Sequence, residues 1–357
     1  MMNVALDGMP LASQLTGVGH YTFELARNLA LVAPSDSFTL ISPRGFLKTR
    51  WWSLGLPLHL SRHSFDLFHG TNYEIPLISR QPSVVTIHDL SLLLHPEAHE
   101  QHLVRRARWR LPLMAKSAWK IITPSNSVKS EVCERLGVQA DKVAVTPEAP
   151  RPAFKRRTDA EVGELRKRLG IDVDFILFVG TIEPRKNLRR LVEAFERLVR
   201  STSRPEKLVI AGGQGWLMDD LASVVNQKGL SDRISLTGYL QDEELCGLYS
   251  TCRAFVYPSL YEGFGLPPLE AMACGAPVIT SRIPALMETV GSAARLVDPH
   301  NVEELAQAML EVLSDEKTRE HFAQLGRSQA KKFSWEQTAA KTLEVYQRLL
   351  FPRTRRN

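Results

Sequence analysis

The chain has 357 residues, 44% of them hydrophobic and 24% charged, and carries a formal net charge of +6. That length exceeds one ordinary domain, so two domains of roughly 150–200 residues are expected, and the composition excludes a disordered or membrane-embedded protein. A surplus of 45 basic over 39 acidic residues is too mild for a nucleic-acid binder, no apolar run reaches the ~20 residues of a spanning helix, and MMNVALDG lacks a signal-peptide pattern, so a cytoplasmic protein is expected.

Residues 3–6 read as a short buried strand, followed by a loop holding Gly17 and Gly19. A helix then carries Val18, Tyr21, Leu25, Leu29 and Val32 at helical spacing. Strands follow at 38–41, 66–69, 84–88, 120–123 and 143–146. Strands alternating with helices imply a parallel, doubly wound sheet, whose ligands gather beyond the carboxyl ends of the strands. His88 and Asp89 stand at one such end, and His69 and Asn72 are expected to end the preceding strand facing the same cleft. A lone histidine after a strand is more often a structural residue bonded to loop backbone.

Two acid-free stretches mix cations with tryptophans. One, within 37–65, holds Arg44, Lys48, Arg50, Trp51 and Trp52; the other, within 102–120, holds Arg105, Arg106, Arg108, Arg110, Lys116, Lys120, Trp109 and Trp119. Such pairings suit an anionic bilayer surface, and a solvated helix face is the plainer reading of the same residues. Pro112 predicts a break, so the second stretch is not read as one continuous helix. Pro147, Pro150 and Pro152, followed by Lys155, Arg156 and Arg157, read as an interdomain linker.

The α/β pattern restarts with a strand at 175–179, preceded by Asp172 and Asp174, which read as a turn and not a metal motif. Arg185 and Lys186 precede a helix with one apolar face, Leu188, Leu191, Val192, Phe195 and Leu198. A planar fork beside a point charge suits a leaving diphosphate, whose growing charge must be neutralised. Further strands are expected at 207–211, 234–237, 254–257, 278–280 and 295–297, and AGGQGW from Gly212 to Trp216 reads as a tight turn without the spacing of a dinucleotide fingerprint.

In YPSLYEGFGLPPLEAMACGAPVI, from Tyr257 to Ile279, a strand end meets a glycine turn and then a helix over 267–274 closed by Gly275. That order gathers backbone N–H groups and the positive end of a helix dipole into an anion site with Glu262 at its mouth. Glu270 is expected in the first helical turn, accepting ligand hydroxyls; dipole compensation alone also accounts for an acid there. Asn301 with Glu304, and Ser334 with Gln337, look like capping boxes, and Arg353 starts a basic tail after the last helix. Cys133, Cys246, Cys252 and Cys274 lack C-x-x-C spacing and read as reduced core thiols.

The E-x7-E spacing of Glu262 and Glu270 around GFGLPPLEAMACG resembles the nucleotide-sugar signature of the retaining glycosyltransferases of family 4, which have the GT-B fold. GTIEPRKNL, GYLQDEELCGLY, TIHDLS and TGVGHYTFELARNL resemble further segments of that family. The resemblance implies two Rossmann-like, doubly wound parallel-sheet domains facing a central cleft: 1–152 for the acceptor, 153–333 for the nucleotide sugar, and 334–357 as a helix crossing back plus the basic tail. By the same resemblance Gly180, Arg185 and Lys186 meet the diphosphate, and Gly263, Phe264, Gly265 and Leu266 hold sugar and β-phosphate through backbone N–H groups. Glu262 binds sugar hydroxyls, Glu270 the ribose, and Gly238, Tyr239 and Leu240 the nucleobase, while Gly17 and Gly19 approach the diphosphate and His88 binds the sugar or lines the attack site. Many relatives carry Arg at the position of His20.

The implied activity is retaining transfer of a hexose, best matched to mannose from GDP-mannose. The acceptor is a glycan or lipid-linked hydroxyl in surface polysaccharide, lipopolysaccharide or glycan synthesis. No metal or other cofactor and no nucleic acid is expected, and the enzyme would work in the cytoplasm, at the inner face of an anionic membrane. A UDP-sugar or deoxyhexose donor, an epimerase of the same architecture, and a noncatalytic partner subunit are the alternatives.

Overall fold

The structure, a computed structural model, describes residues 1–12, 16–43, 50–202, 204–215 and 221–351. Arg44, Lys48, Trp216 and the basic tail lie outside the described residues. Six strands form one parallel sheet in the order β2-β1-β3-β4-β5-β6: β1 (Asn3–Asp7), β2 (Ser37–Ile41), β3 (Leu67–Gly70), β4 (Ser83–Thr86), β5 (Lys120–Thr123) and β6 (Val143–Val145). Six more form a second in the order β12-β11-β10-β7-β8-β9: β7 (Phe175–Val179), β8 (Lys207–Ala211), β9 (Ile234–Gly238), β10 (Ala254–Tyr257), β11 (Val278–Ser281) and β12 (Ala294–Val297). Every strand read from the sequence is present. Each sheet reverses its winding once, between β1 and β3 and between β7 and β10, and these switch points are where open α/β sheets hold ligands.

The sheets lie in two compact units. One comprises Met1–Leu93, Val104–Ala149 and the segment from Phe333; the other comprises Leu94–Leu103 and Pro150–Lys332. In the first unit, the helix Gly17–Val32 lays Tyr21, Leu25 and Leu29 on the sheet, and the closing helix Trp335–Leu350 adds Trp335, Ala339 and Tyr346 to the same core. Full burial of each large side chain contributes about 1.5–3 kcal/mol. In the second unit β7 and β10 are buried along their whole length, as central parallel strands must be. Phe178 stacks on Tyr257 at 5.8 Å, and the helix Leu188–Ser201 buries its expected apolar face.

Several expectations are corrected. Gly17 and Gly19 lie in the first turn of a helix and not in a loop, because the Thr16 carbonyl already accepts from the His20 N–H at 2.9 Å. Residues Gln101–Ser117 form one helix through Pro112. The proline costs one backbone hydrogen bond, and the buried stripe Val104, Ala107, Leu111, Met114 and Ala115 holds the helix together across it. Trp51 is buried and Trp52 half-buried with its edge on Phe68, so that pair does not face solvent as an interfacial belt would. Asn301 and Ser334 cap their helices, yet the Glu304 carboxylate turns to the Asp298 N–H and Arg282, so it closes no box. All four cysteines are free; three are buried and Cys133 only partly so.

His69 does not face a cleft. It is fully buried, with Nδ1 at 2.6 Å from the Tyr346 hydroxyl and Nε2 at 2.8 Å from Thr86 Oγ1. Burial, helped by the charge of His88, lowers its pKa to about 3. The unfolded chain takes up this proton near pH 6.5 while the fold refuses it until about 3, so the stabilisation is complete above 6.5 and is lost as pH falls. His69→Gln should therefore flatten the acid limb of the stability curve. The measurement is the thermal midpoint of both proteins from pH 8 to pH 5, and a gap between them that stays constant would refute the assignment.

Candidate active site

At the switch point of the second sheet, β7 and β10 each end in a turn, and the two turns are sewn together. After β7, Glu183 leads into a helical turn Pro184–Lys186, and Asn187 adopts the left-handed conformation (φ 62°) before the next helix. Asparagine tolerates that region better than other side chains, and its Nδ2 donates to the Pro258 and Pro299 carbonyls at 3.0 and 2.7 Å. The Leu260 N–H donates to the Arg185 carbonyl at 2.8 Å. Opposite, Gly265 (φ 107°) caps the helix Leu266–Ala273, and a Cβ there would lie 2.4 Å from Leu286 Cδ2. The angle favours glycine, and any other residue would also have to push the Leu286 methyl aside.

Between these turns sits Glu262, almost wholly buried. Its Oε1 accepts from Lys186 Nζ at 2.7 Å, the Tyr257 hydroxyl at 2.9 Å and Ser259 Oγ at 2.5 Å, while Oε2 lies 3.2 Å from Arg185 Nη1. Lys186 also donates to the Tyr257 oxygen at 2.6 Å, and Arg185 is braced by Glu183 and by the Tyr261 carbonyl. Burial alone would raise the Glu262 pKa; Lys186 and Arg185 outweigh it and bring the value to about 2. The site is a fixed carboxylate under two cations.

Glu270 lies apart from this cluster. It falls in the second turn of its helix, not the first, because the helix begins at Leu266. Its Oε1 accepts from Arg151 Nε at 2.8 Å, and Arg151 also pairs with Asp242, the first residue of the helix Asp242–Thr251. Burial pushes the Glu270 carboxyl up despite the Arg151 charge. Gly238 and Tyr239 are exposed and Leu240 is buried at the end of β9; the Gly238 carbonyl accepts from the Gly212 N–H at 2.9 Å. Gly180 and Gly212 close the ends of β7 and β8 so tightly that a Cβ on Gly212 would lie 1.9 Å from the Gly180 carbonyl oxygen. Asp172 pairs with Lys207 and Asp174 with Arg253, surface partners before the strands.

The remaining predicted residues belong to the first unit. His88 ends the segment after β4, with Nε2 at 2.8 Å from the Thr71 carbonyl and Nδ1 at 3.1 Å from Glu148 Oε1. Burial disfavours a charged ring, but Glu148 and the Thr71 carbonyl raise its pKa. Tyr21, one turn beyond Gly17 and Gly19, meets the ring edge-on at 4.7 Å. Tyr73, at φ 58°, is held in a conformation rare for an aromatic residue and lays its ring 5.7 Å from His88.

A model described as "Glycosyl transferases group 1" matches residues 162–329, and one described as "Glycosyltransferase Family 4" matches residues 18–149. The chain is 32% identical to O-antigen chain mannosyltransferase B of Escherichia coli over 98% of its own length and 100% of that protein. The chain belongs to glycosyltransferase family 4. This family 4 enzyme is a hexosyltransferase. It is also 29% identical to MMP alpha-(1->4)-mannosyltransferase of Mycolicibacterium hassiacum, over 89% of this chain and 81% of that one. Its fold is that of sucrose-phosphate synthase from Thermosynechococcus elongatus, with a TM-score of 0.80 at 22% identity over 98% and 99% of the two chains.

Sequence reasoning brought Arg185, Lys186 and Glu262 of this glycosyltransferase to one place, and missed what holds them: Glu183, Tyr257, Ser259 and Asn187. Glu183 and Asn187 lie inside GTIEPRKNL, and Tyr257 and Ser259 inside the Glu262 segment, so the signal was proximity to the motif. Arg151 and Glu148 gave no such signal. If Lys186 and Glu262 act as one buried pair, Lys186→Met alone should cost on the order of 3 kcal/mol. Adding Glu262→Gln should then cost less than its effect in the wild type, a coupling above about 0.5 kcal/mol in denaturant unfolding. Strict additivity would mean the two side chains do not share the load.

Proposed function

We propose that the enzyme transfers mannose from GDP-mannose, with retention of configuration, to a hydroxyl of a surface polysaccharide or other glycan. The observation that carries this reading is the carboxylate under two cations at the β7/β10 switch point. Arg185 and Lys186 meet the leaving diphosphate, so the reading calls for no metal. Glu262 binds sugar hydroxyls. Three donors on its Oε1 and a depressed pKa make it a poor nucleophile, which favours a front-face displacement: the acceptor oxygen attacks C1, the bond to phosphate breaks, and the departing phosphate takes the acceptor proton.

Gly263 to Leu266, at a helix N-terminus, face the sugar and β-phosphate with N–H groups, Glu270 takes the ribose, and Gly238 to Leu240 the base. The end of β9 lies three strand spacings, about 14 Å, from that of β10, a span suited to a nucleotide sugar laid along the carboxyl edge of the sheet. His88 and the turn with Gly17 and Gly19 serve the acceptor-binding unit. Mannose and the polysaccharide setting are supported by the names of the two relatives above.

The enzyme docks on an anionic membrane through Arg105, Arg108 and Lys116 with Trp109 and Trp119, which are 56% and 63% exposed. No described helix is long and apolar enough to cross a membrane. Vesicles containing anionic lipid should therefore sediment the wild type and release it at high salt, and Arg105→Glu/Arg108→Glu should stay in the supernatant; equal recovery on neutral vesicles would refute the docking.

The test of donor and chemistry is a panel of GDP-mannose, UDP-glucose and UDP-N-acetylglucosamine, followed by calorimetry and product release. GDP-mannose should bind best, and Glu262→Gln should lower turnover by about 100-fold or more. Tighter binding of a UDP-sugar would reassign the donor. Release of free sugar at full rate without an acceptor would favour an epimerase, and no binding at all a noncatalytic subunit.

A further inference from the structure

We infer that Arg151 is a positioning residue for nucleoside recognition, holding the Glu270 carboxylate in place and tying it to the segment that carries the base. This rests on the assignment of Glu270 to the ribose proposed above.

Arg151 is only 12% exposed, and its guanidinium is fixed on every side. One face lies over the Phe154 ring at 4.5 Å, Nε donates to Glu270 Oε1, and Nη1 pairs with Asp242. The two carboxylates come from different helices, and Asp242 begins its helix two residues after Leu240. A planar fork can bridge two acids in this way, whereas an ammonium can only sit between them. The carboxylate is thus anchored through its Oε1.

The chemistry of the ligand explains why the anchor matters. A ribose diol presents two O–H donors, which an ionised carboxylate accepts; a protonated carboxyl offers a donor of its own and fewer acceptor sites. Glu270 is buried, so burial favours the protonated form, Asp242 and Cys246 nearby act in the same direction, and the Arg151 charge opposes them. Removing Arg151 would leave a carboxyl that protonates at higher pH and is free to turn. Losing Asp242 instead would loosen the base segment and leave the Arg151–Glu270 bond intact.

The experiment uses the full chain and whichever of GDP, UDP and ADP the wild type binds best, titrated calorimetrically from pH 5.5 to 8.5. Arg151→Met should weaken binding about tenfold or more at pH 7, with affinity recovering as pH rises, a slope steeper than in the wild type. Arg151→Lys should restore the shallower slope and only part of the affinity. In a Glu270→Gln background, where no carboxylate remains to be held, Arg151→Met should cost clearly less than in the wild type, about as much as Asp242→Asn, and should add no pH slope. Asp242→Asn should weaken binding without steepening the pH slope, since loss of its charge lets the Glu270 carboxyl ionise more readily.

If Arg151→Met weakens binding equally in both backgrounds, or runs parallel to the wild type across pH, Arg151 serves only the packing of this unit and the inference falls. Thermal melts of each variant separate that outcome from misfolding. If the wild type binds no nucleoside diphosphate while its melt is cooperative, the donor reading itself fails, and this assignment with it.

Discussion

A carboxylate removed from water must be met by cations and donors, and Glu262 imposes that condition on everything around it. Its partners come from two loops about 76 residues apart in the chain, which only a parallel pair of neighbouring strands delivers to one spot. The reversal of winding between β7 and β10 opens the gap those loops fill, and Asn187 and Gly265 accept conformations that other residues resist so that the loops can close on each other. The pairing adds charge to a seam already closed by the Leu260 N–H on the Arg185 carbonyl and by Asn187 on the Pro258 carbonyl. Fold and chemistry here share one set of bonds.

Much of this was legible. Strands were read correctly because buried parallel strands are short apolar runs bounded by turn residues, and both sheets follow from their alternation with helices. Arg185, Lys186 and Glu262 were legible because their segments match a long pattern. What escaped was long-range or set by packing. Nothing local in PEAPRPAF says that Arg151 reaches Glu270 across 119 positions, or that Glu148 reaches His88 across 60. Proline at 112 reads as a breaker because local rules omit the buried stripe that carries the helix past it. Glycines at 17 and 19 read as loop because propensity is silent on where a capping carbonyl finds its first donor.

His69 and His88 make the same point within one sheet. One lies within β3 and the other just after β4, and they look interchangeable in sequence, yet one is held neutral between two hydroxyls and the other is drawn toward the charged form by a carboxylate and a carbonyl. A histidine's titration is decided by the atoms facing its two nitrogens. Their shifts run in opposite directions, His69 held neutral by burial and His88 drawn toward its charged form by Glu148 and the Thr71 carbonyl.

The closing helix carries a consequence for how the protein is made. Trp335, Ala339 and Tyr346 complete a core begun by Val4, Leu6 and Tyr21, so the first unit is built from both ends of the chain. On the ribosome its sheet emerges early and waits, its apolar face short of a partner, until the whole second unit has been synthesised. A chain stopped at residue 333 would keep every residue of the second unit and leave the first without the side chains that complete its core.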